Sequence, residues 1–203
     1  MTRVVLASSN PGKLRELTAL LAPLSLTLVP QGALGIAAVP ETGATFLANA
    51  LLKARHAAQC AQLPALADDS GLEVDALGGR PGVRSARFAG EGASDGDNLQ
   101  RLLAELRDVP PPRRQARYQC VIVLVRSPAD AQPLIARASW EGHIATAPRG
   151  GGGFGYDPVF VPLGERRSAA ELLPAEKNAL SHRARALRAL VAMLESASYI
   201  SAP

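Results

Sequence analysis

The chain predicts an α/β protein with a mixed central sheet and flanking helices. Three observations carry this expectation. Short apolar runs of strand length alternate with longer segments whose apolar residues recur at helical spacing. The chain begins as strand, turn and helix, the connection that parallel strands need. Two long strand candidates later in the chain are separated by a polar turn only, the connection of an antiparallel pair. Both kinds of connection in one chain give a mixed sheet. At 203 residues, 47% of them hydrophobic, the chain can build one domain over residues 1–203, arranged as two lobes around a substrate cleft.

Each element follows from its residues. "RVVLA" at 3–7 is a short buried strand, and "GKLRELTALLAP" continues as an amphipathic helix with Leu14, Leu17, Leu20 and Leu21 on one side. "LTLVP" is a second strand, followed by a loop that ends "PETG". The alanine-rich "TFLANALLKARHAAQCA" is a helix with Phe46, Ala50, Ala54 and Ala57 at helical spacing, which makes Asn49 and Lys53 neighbours one turn apart. "ALADD" reads as a strand that ends in its paired carboxylates, with Ser70 and Gly71 making a turn into a glycine-rich loop running to about Gly92. "SDGDNLQRLLAELRDV" is a helix capped by Ser94. "ARYQCVIVLV" and "PLIARASWEGHI" are the hairpin strands, "APRGGGGFGYDP" is a second glycine loop, and "VFVP" is a strand. One long helix, "AEKNALSHRARALRALVAMLES", is expected after "SAAELL".

Composition excludes several classes. No run of about 18 apolar residues occurs, as a membrane-spanning helix needs, and "MTRVVLASSN" is no secretory signal, so a cytoplasmic protein with no membrane partner is expected. Cys60 and Cys120 are too few for a disulfide framework or zinc knuckle, and both are expected as buried free thiols. The net charge is +4, with 14 basic against 9 acidic residues after position 100, which favours anionic ligands without separating nucleic acid from free phosphates. Of 22 basic residues only Lys13, Lys53 and Lys177 are lysine. A chain that otherwise uses arginine keeps lysine where a compact point charge serves.

Five stretches carry chemistry. "SSNPGK", at a strand-to-helix turn, offers backbone N–H groups, a helix dipole and Lys13 to a phosphate; a well-capped helix with a surface lysine is the equal alternative. It is no Walker A loop, because Leu14 follows the lysine. "DDSG" is the strongest signal: like charges side by side at a buried strand need a cation, and Mg²⁺ with a polyphosphate beside it meets that need. Neighbouring strand residues face opposite sides, so one of Asp68 and Asp69 faces the site while the other braces. The facing carboxylate can also take a proton from an attacking water. Glu41 in "PETG" is a further acid on a loop. Glycines around Phe154 and Tyr156 suit close approach to a flat base, or a core plug beneath a mobile loop. Lys177, Ser181, His182 and Arg183 form either a solvated basic face or donors to the keto oxygen of a base. A serine nucleophile is disfavoured, since Ser70 lacks a Gly-x-Ser-x-Gly elbow.

Taken in order, "SSNPGK", "PETG", "LADDSGLEVDALGGRPGVRSAR", "GGFGYDPVF" and "EKNALSHRARAL" resemble the inosine triphosphate pyrophosphatase family across essentially the whole chain. The resemblance implies hydrolysis of the non-standard purine nucleoside triphosphates ITP, dITP and XTP to monophosphate and pyrophosphate. It implies that Ser8, Ser9, Asn10, Pro11, Gly12 and Lys13 hold the triphosphate with Lys53 nearby, and that Ser70 touches the substrate. It makes Asp69 the proton acceptor and Mg²⁺ ligand, joined by Glu41, with Asp68 a further candidate ligand. Phe154, Gly155, Tyr156 and Asp157 would wrap base and sugar, while Lys177, His182 and Arg183 select the 6-keto purine. A homodimer with no nucleic-acid partner is implied as well. Ser8 and Ser9 stand where the family often has Thr-Gly, and Pro40 where it often has an acid. Two alternatives stand beside this reading: a Maf-like pyrophosphatase for other modified nucleotides, and a non-enzymatic nucleotide or nucleic-acid binder.

Overall fold

The computed structural model describes residues 2–22 and 26–196. Six strands hydrogen-bond in the order β2-β1-β3-β4-β5-β6. They are β1 (Thr2–Leu6), β2 (Leu26–Pro30), β3 (Ala65–Val74), β4 (Gln115–Val125), β5 (Leu134–Ile144) and β6 (Phe160–Pro162), with helices α1 (Pro11–Leu21), α2 (Phe46–Ala61), α3 (Asp95–Glu105), α4 (Pro174–Leu180) and α5 (His182–Ser196). β1 runs parallel to β2 and β3, whereas β5 and β6 are antiparallel, so the sheet is mixed as expected. Among these residues no helix is long and apolar enough to cross a membrane.

The chain divides into two compact units, neither of them contiguous in sequence: Met1–Asp69 with Cys120–Ala138 and Arg183–Pro203, and Ser70–Gln119 with Ser139–His182. Strands β3, β4 and β5 each pass from one unit to the other. In the first unit, strand alternation sends Val4 and Leu6 into a cluster with Leu17, Leu21, Leu187 and Leu190, while Val5 and Ala7 join Ala50, Ala54, Ala57 and Ala58. Thus α1 and α5 cover one face and α2 the other. Helix α2 starts where the Thr45 hydroxyl accepts from Ala48 N–H, and its alanine stripe packs on the sheet without bulk. In the second unit, α3 begins in a Ser94–Asp97 capping box, and Leu99 and Leu102 close over Leu72, Val74, Trp140 and Phe160.

Three expectations are corrected. The strand carrying the paired aspartates continues through Ser70 and Gly71 to Val74, because Leu72 and Val74 anchor its far end in the second core. The single C-terminal helix is two, broken at Ser181, which takes an extended conformation (φ −66°, ψ 158°) and ends α4 with its N–H on the Lys177 carbonyl. Serine is a natural break, since its hydroxyl competes for backbone partners. The break also divides neighbours: His182 belongs to the second unit and Arg183 to the first. Finally, Cys120 is buried but Cys60 is exposed, lying off the alanine stripe that α2 turns to the sheet.

Candidate active site

The first unit gathers acids and cations from five elements. Asp68 and Asp69 leave β3 on opposite faces, as strand geometry requires. Asp68 meets Lys13 Nζ of α1 at 3.0 Å and the Arg183 guanidinium at the start of α5 at 3.4 Å. Arg183 also pairs with Glu16, one turn beyond Lys13 on α1. On the other face, Asp69 Oδ1 accepts from Lys53 Nζ of α2 at 2.9 Å, and the same ammonium donates to Glu41 Oε1 at 2.7 Å. Asp69 Oδ2 accepts from Asn49 Nδ2 at 3.2 Å.

The two adjacent aspartates are tuned in opposite directions. Burial works to raise the pKa of Asp68, yet Lys13, Arg183 and Lys53 outweigh it and hold the carboxyl well below the usual carboxylate range. For Asp69 burial prevails: Lys53 and Lys13 oppose it, Glu41 reinforces it, and the pKa rises above its ordinary value. Burial would lower the Lys53 pKa, but Asp69, Asp68 and Glu41 together keep its ammonium charged. A carboxyl held ionised next to one pushed upward separates a permanent charge from a proton acceptor.

The helix-start stretch is less open than its sequence suggests. Asn10 caps α1, its Oδ1 accepting from Lys13 N–H at 3.0 Å, and Asn10 N–H donates to Ser8 Oγ at 3.3 Å. Pro11, at the first helical position, has no N–H. Ser9, Asn10 and Pro11 are exposed and Gly12 is buried. The capped-helix alternative therefore describes the backbone here, while the Lys13 side chain turns to Asp68.

The second unit holds a smaller group. Asp157 Oδ2 accepts from Lys177 Nζ at 2.6 Å and from Phe154 N–H at 2.9 Å, and Oδ1 accepts from the Tyr118 hydroxyl at 3.3 Å. The Lys177 ammonium lies 4.7 Å from the Phe154 ring centroid, a cation–π contact. His182 stacks on Tyr118, rings 4.6 Å apart and 7° from parallel. Gly153, at φ +73°, has no room for a side chain against the Asp157 carboxylate. Gly155 N–H donates to Asp95, and the Tyr156 hydroxyl donates to the Ser85 carbonyl from within the core, so Tyr156 is the core plug of the two readings of this loop.

Asp69, Glu41, Lys13, Lys53 and Arg183 thus come together in one unit, and Phe154, Asp157, Lys177 and His182 in the other; Ser70 sits on β3 at the boundary. Arg183 belongs with the acids, holding Asp68 and Glu16. Glu16, Asn49 and Tyr118 went unassigned from sequence. Glu16 and Asn49 had a signal, each lying within one turn of a singled-out lysine; Tyr118, inside a strand, had none.

The sequence model of the Ham1 family matches residues 4–193. The chain belongs to the Ham1 family. Other members are close over their full lengths. The dITP/XTP pyrophosphatase of Methylococcus capsulatus is 58% identical over 194 residues, 96% of each chain. That of Xanthomonas campestris pv. campestris (strain 8004) is 58% identical over 198 residues, 98% of this chain and 100% of its own. The solved structure of a HAM1 protein from Coxiella burnetii matches with a TM-score of 0.89 at 47% identity, covering 97% of this chain and 100% of the other. Ham1 membership bears out the family resemblance carried by the five stretches, and the fold match bears out the mixed α/β architecture.

Proposed function

We propose that this Ham1 protein hydrolyses ITP, dITP and XTP to the nucleoside monophosphate and pyrophosphate, clearing them from the nucleotide pool. The observation that carries the reading is the meeting of Asp69 and Glu41, from separate elements, at the Lys53 ammonium, with Lys13 held by the adjacent Asp68 on the other face of β3. The dITP/XTP pyrophosphatase names of relatives matching nearly the whole chain support it.

Asp69 is the proton acceptor. Each of its oxygens accepts one hydrogen bond, from Lys53 and from Asn49, and a carboxylate oxygen has a second lone pair to offer a water. Its raised pKa makes it a stronger base than an ordinary carboxylate. The water oxygen bonds to the α-phosphorus, the bond to the α,β-bridging oxygen breaks, pyrophosphate leaves with that electron pair, and the proton passes to Asp69. Lys13 and Lys53 offset charge on the phosphoryl oxygens.

The donors fit a hard divalent cation. Asp69 and Glu41 both turn carboxylate oxygens to one cation, the Lys53 ammonium, and Asp69 carries a burial penalty that a further positive charge would relieve. Among the described residues no three acidic, histidine or cysteine side chains gather as a metal cage, and Mg²⁺ commonly needs only one or two carboxylates with substrate phosphates. We assign Mg²⁺ to Asp69 and Glu41, where when bound it neutralises phosphate charge.

Phe154 stacks on the base, with Lys177 and His182 as donors to its 6-keto oxygen. Such donors facing the amino group of adenine are left unpaired, a penalty of about 1–3 kcal/mol each, so ATP is a poor substrate. We take the enzyme to be a cytoplasmic homodimer that needs neither nucleic acid nor membrane; light scattering on the purified protein checks the dimer.

The decisive assay is pyrophosphate release from ITP, dITP, XTP, dGTP and ATP with and without Mg²⁺. Release from the first three, dependent on Mg²⁺, is expected. Release from other modified nucleotides only would make the protein Maf-like in activity, and no release with steeply salt-dependent nucleic-acid binding would make it a binder.

A further inference from the structure

Asn49 has no role in the chemistry above, yet its side chain is fully buried among charged groups. It lies one turn before Lys53 on α2, so both side chains project from one face of the helix. Its Nδ2 donates to Asp69 Oδ2 at 3.2 Å, and its Oδ1 accepts from the backbone N–H of Gly43 at 2.7 Å. Gly43 stands two residues after Glu41, on the loop that carries that acid.

These two contacts fix which way the amide faces. Turned over, it would set its NH₂ against the Gly43 N–H and its oxygen against the Asp69 carboxylate, a repulsion at both ends. Only a donor and an acceptor on one short, planar group satisfy a carboxylate on one side and a backbone N–H on the other. The loop is drawn in tightly: a Cβ on Gly43 would lie 2.6 Å from Asn49 Oδ1 and 2.8 Å from the Ala48 Cβ. Two straps therefore join the same loop to the same carboxylate. Lys53 ties Glu41 Oε1 to Asp69 Oδ1, and Asn49 ties the backbone beyond Glu41 to Asp69 Oδ2. An ammonium on a flexible stem is a point charge that constrains the plane of a carboxylate weakly. The planar amide on the second oxygen supplies that constraint.

The geometry points to Asn49 as a positioning residue, which sets the plane of the Asp69 carboxylate and holds the Glu41 loop against it through Gly43. This rests on the assignment of Asp69 as the proton acceptor. Asn49 acts through Asp69 and the Glu41 loop, its two contacts, rather than on the reacting atoms.

The test is a set of variants assayed on dITP. Asn49→Ala lowers kcat about 10–100-fold, as loss of a supporting hydrogen bond does elsewhere, with KM little changed. In calorimetry with EDTA present, Asn49→Ala binds dITP as the parent does. Placed in an Asp69→Asn background, Asn49→Ala lowers kcat far less than it does in the parent, because the carboxylate it positions is gone. Gly43→Ala, whose Cβ would meet Asn49 Oδ1 and also the Ala48 Cβ of α2, displaces the amide while leaving Asn49 in the chain and reproduces the kcat loss, which keeps the proposal testable if Asn49→Ala fails to fold. Parental kcat in Gly43→Ala and in folded Asn49→Ala overturns the proposal, and so does an undiminished further loss in the Asp69→Asn background. Asp69→Asn at the parental rate overturns the Asp69 assignment and this proposal together; a slow Asp69→Asn beside fast Asn49 and Gly43 variants overturns this proposal alone.

Discussion

Both units hold a lysine against a buried aspartate, Lys53 with Asp69 at 2.9 Å and Lys177 with Asp157 at 2.6 Å, but the surroundings differ in kind. Around the first pair stand more charges: Glu41 shares the ammonium, and Asp68, Lys13, Arg183 and Glu16 form a second linked group on the other face of β3. Around the second stand rings and neutral donors: Phe154, Tyr118 with His182 stacked on it, and a backbone N–H. Dense charge separates the pKa values of neighbouring acids, which the proposed proton transfer to Asp69 would use; aromatic surroundings offer a flat face and directed donors, which would suit the proposed purine. On the proposed function, the same ion pair would serve chemistry in one setting and selection in the other.

The sharpest way to break this comparison is to disable each pair in turn. Asp69→Asn is expected to lower kcat by about 10²–10⁴-fold for every nucleotide accepted, leaving preference among them unchanged. Lys177→Met is expected to do the reverse, narrowing the ratio of kcat/KM for dITP over ATP by about tenfold while the dITP rate falls less. Equal effects of both variants on rate and selectivity would erase the distinction.

Stability gives the next largest effect. Arg183 is 1% exposed and its loss takes a buried cation from Asp68, which keeps Lys13, and from Glu16, so Arg183→Met is expected to destabilise by about 3 kcal/mol in urea unfolding.

The adjacent aspartates give opposite pH dependences. Asp68 has a depressed folded-state pKa, so it stabilises above the ordinary carboxylate value of 3.8 and that contribution is lost as pH falls below it. Asp69 has a raised one: between 3.8 and its folded value the native state holds the extra proton, and stability falls as pH rises. Asp69→Asn should therefore melt above the parent at pH 8, with the gap closing on acidification, whereas Asp68→Asn should melt below it. The acid limb of kcat/KM should sit above the usual carboxylate range and move down as Mg²⁺ is raised.

The smallest effect concerns the thiols. Burial, with Asp68 nearby, pushes the Cys120 thiol up to about 12, so in the native protein only exposed Cys60 should react with a thiol reagent, and both after unfolding. Reaction of both in the native state would contradict the first unit's packing.

Much of this was legible because it is local. The leucine spacing of α1 and alanine spacing of α2 specify helix faces wherever those helices pack, and the Ser94 cap is complete within four residues. The pairing of Asp68 with Asp69 announced opposite faces, since side chains alternate along any strand. What failed was also physical. Ser70 and Gly71 read as a turn because the pull of Leu72 and Val74 on a distant core is invisible locally, and the break at Ser181 leaves helical spacing intact on both sides.

By itself the sequence determined the mixed α/β class, the family and the residues that bear charge, because periodicity, caps and ordered motifs are properties of neighbours along the chain. Only the tertiary structure decided which charge meets which. It put Arg183 on Asp68 and Glu16, Lys53 between Glu41 and Asp69, and Asn49 between Gly43 and Asp69. Such pairings join residues remote along the chain, and their strength depends on burial that appears only once helices and strands have packed.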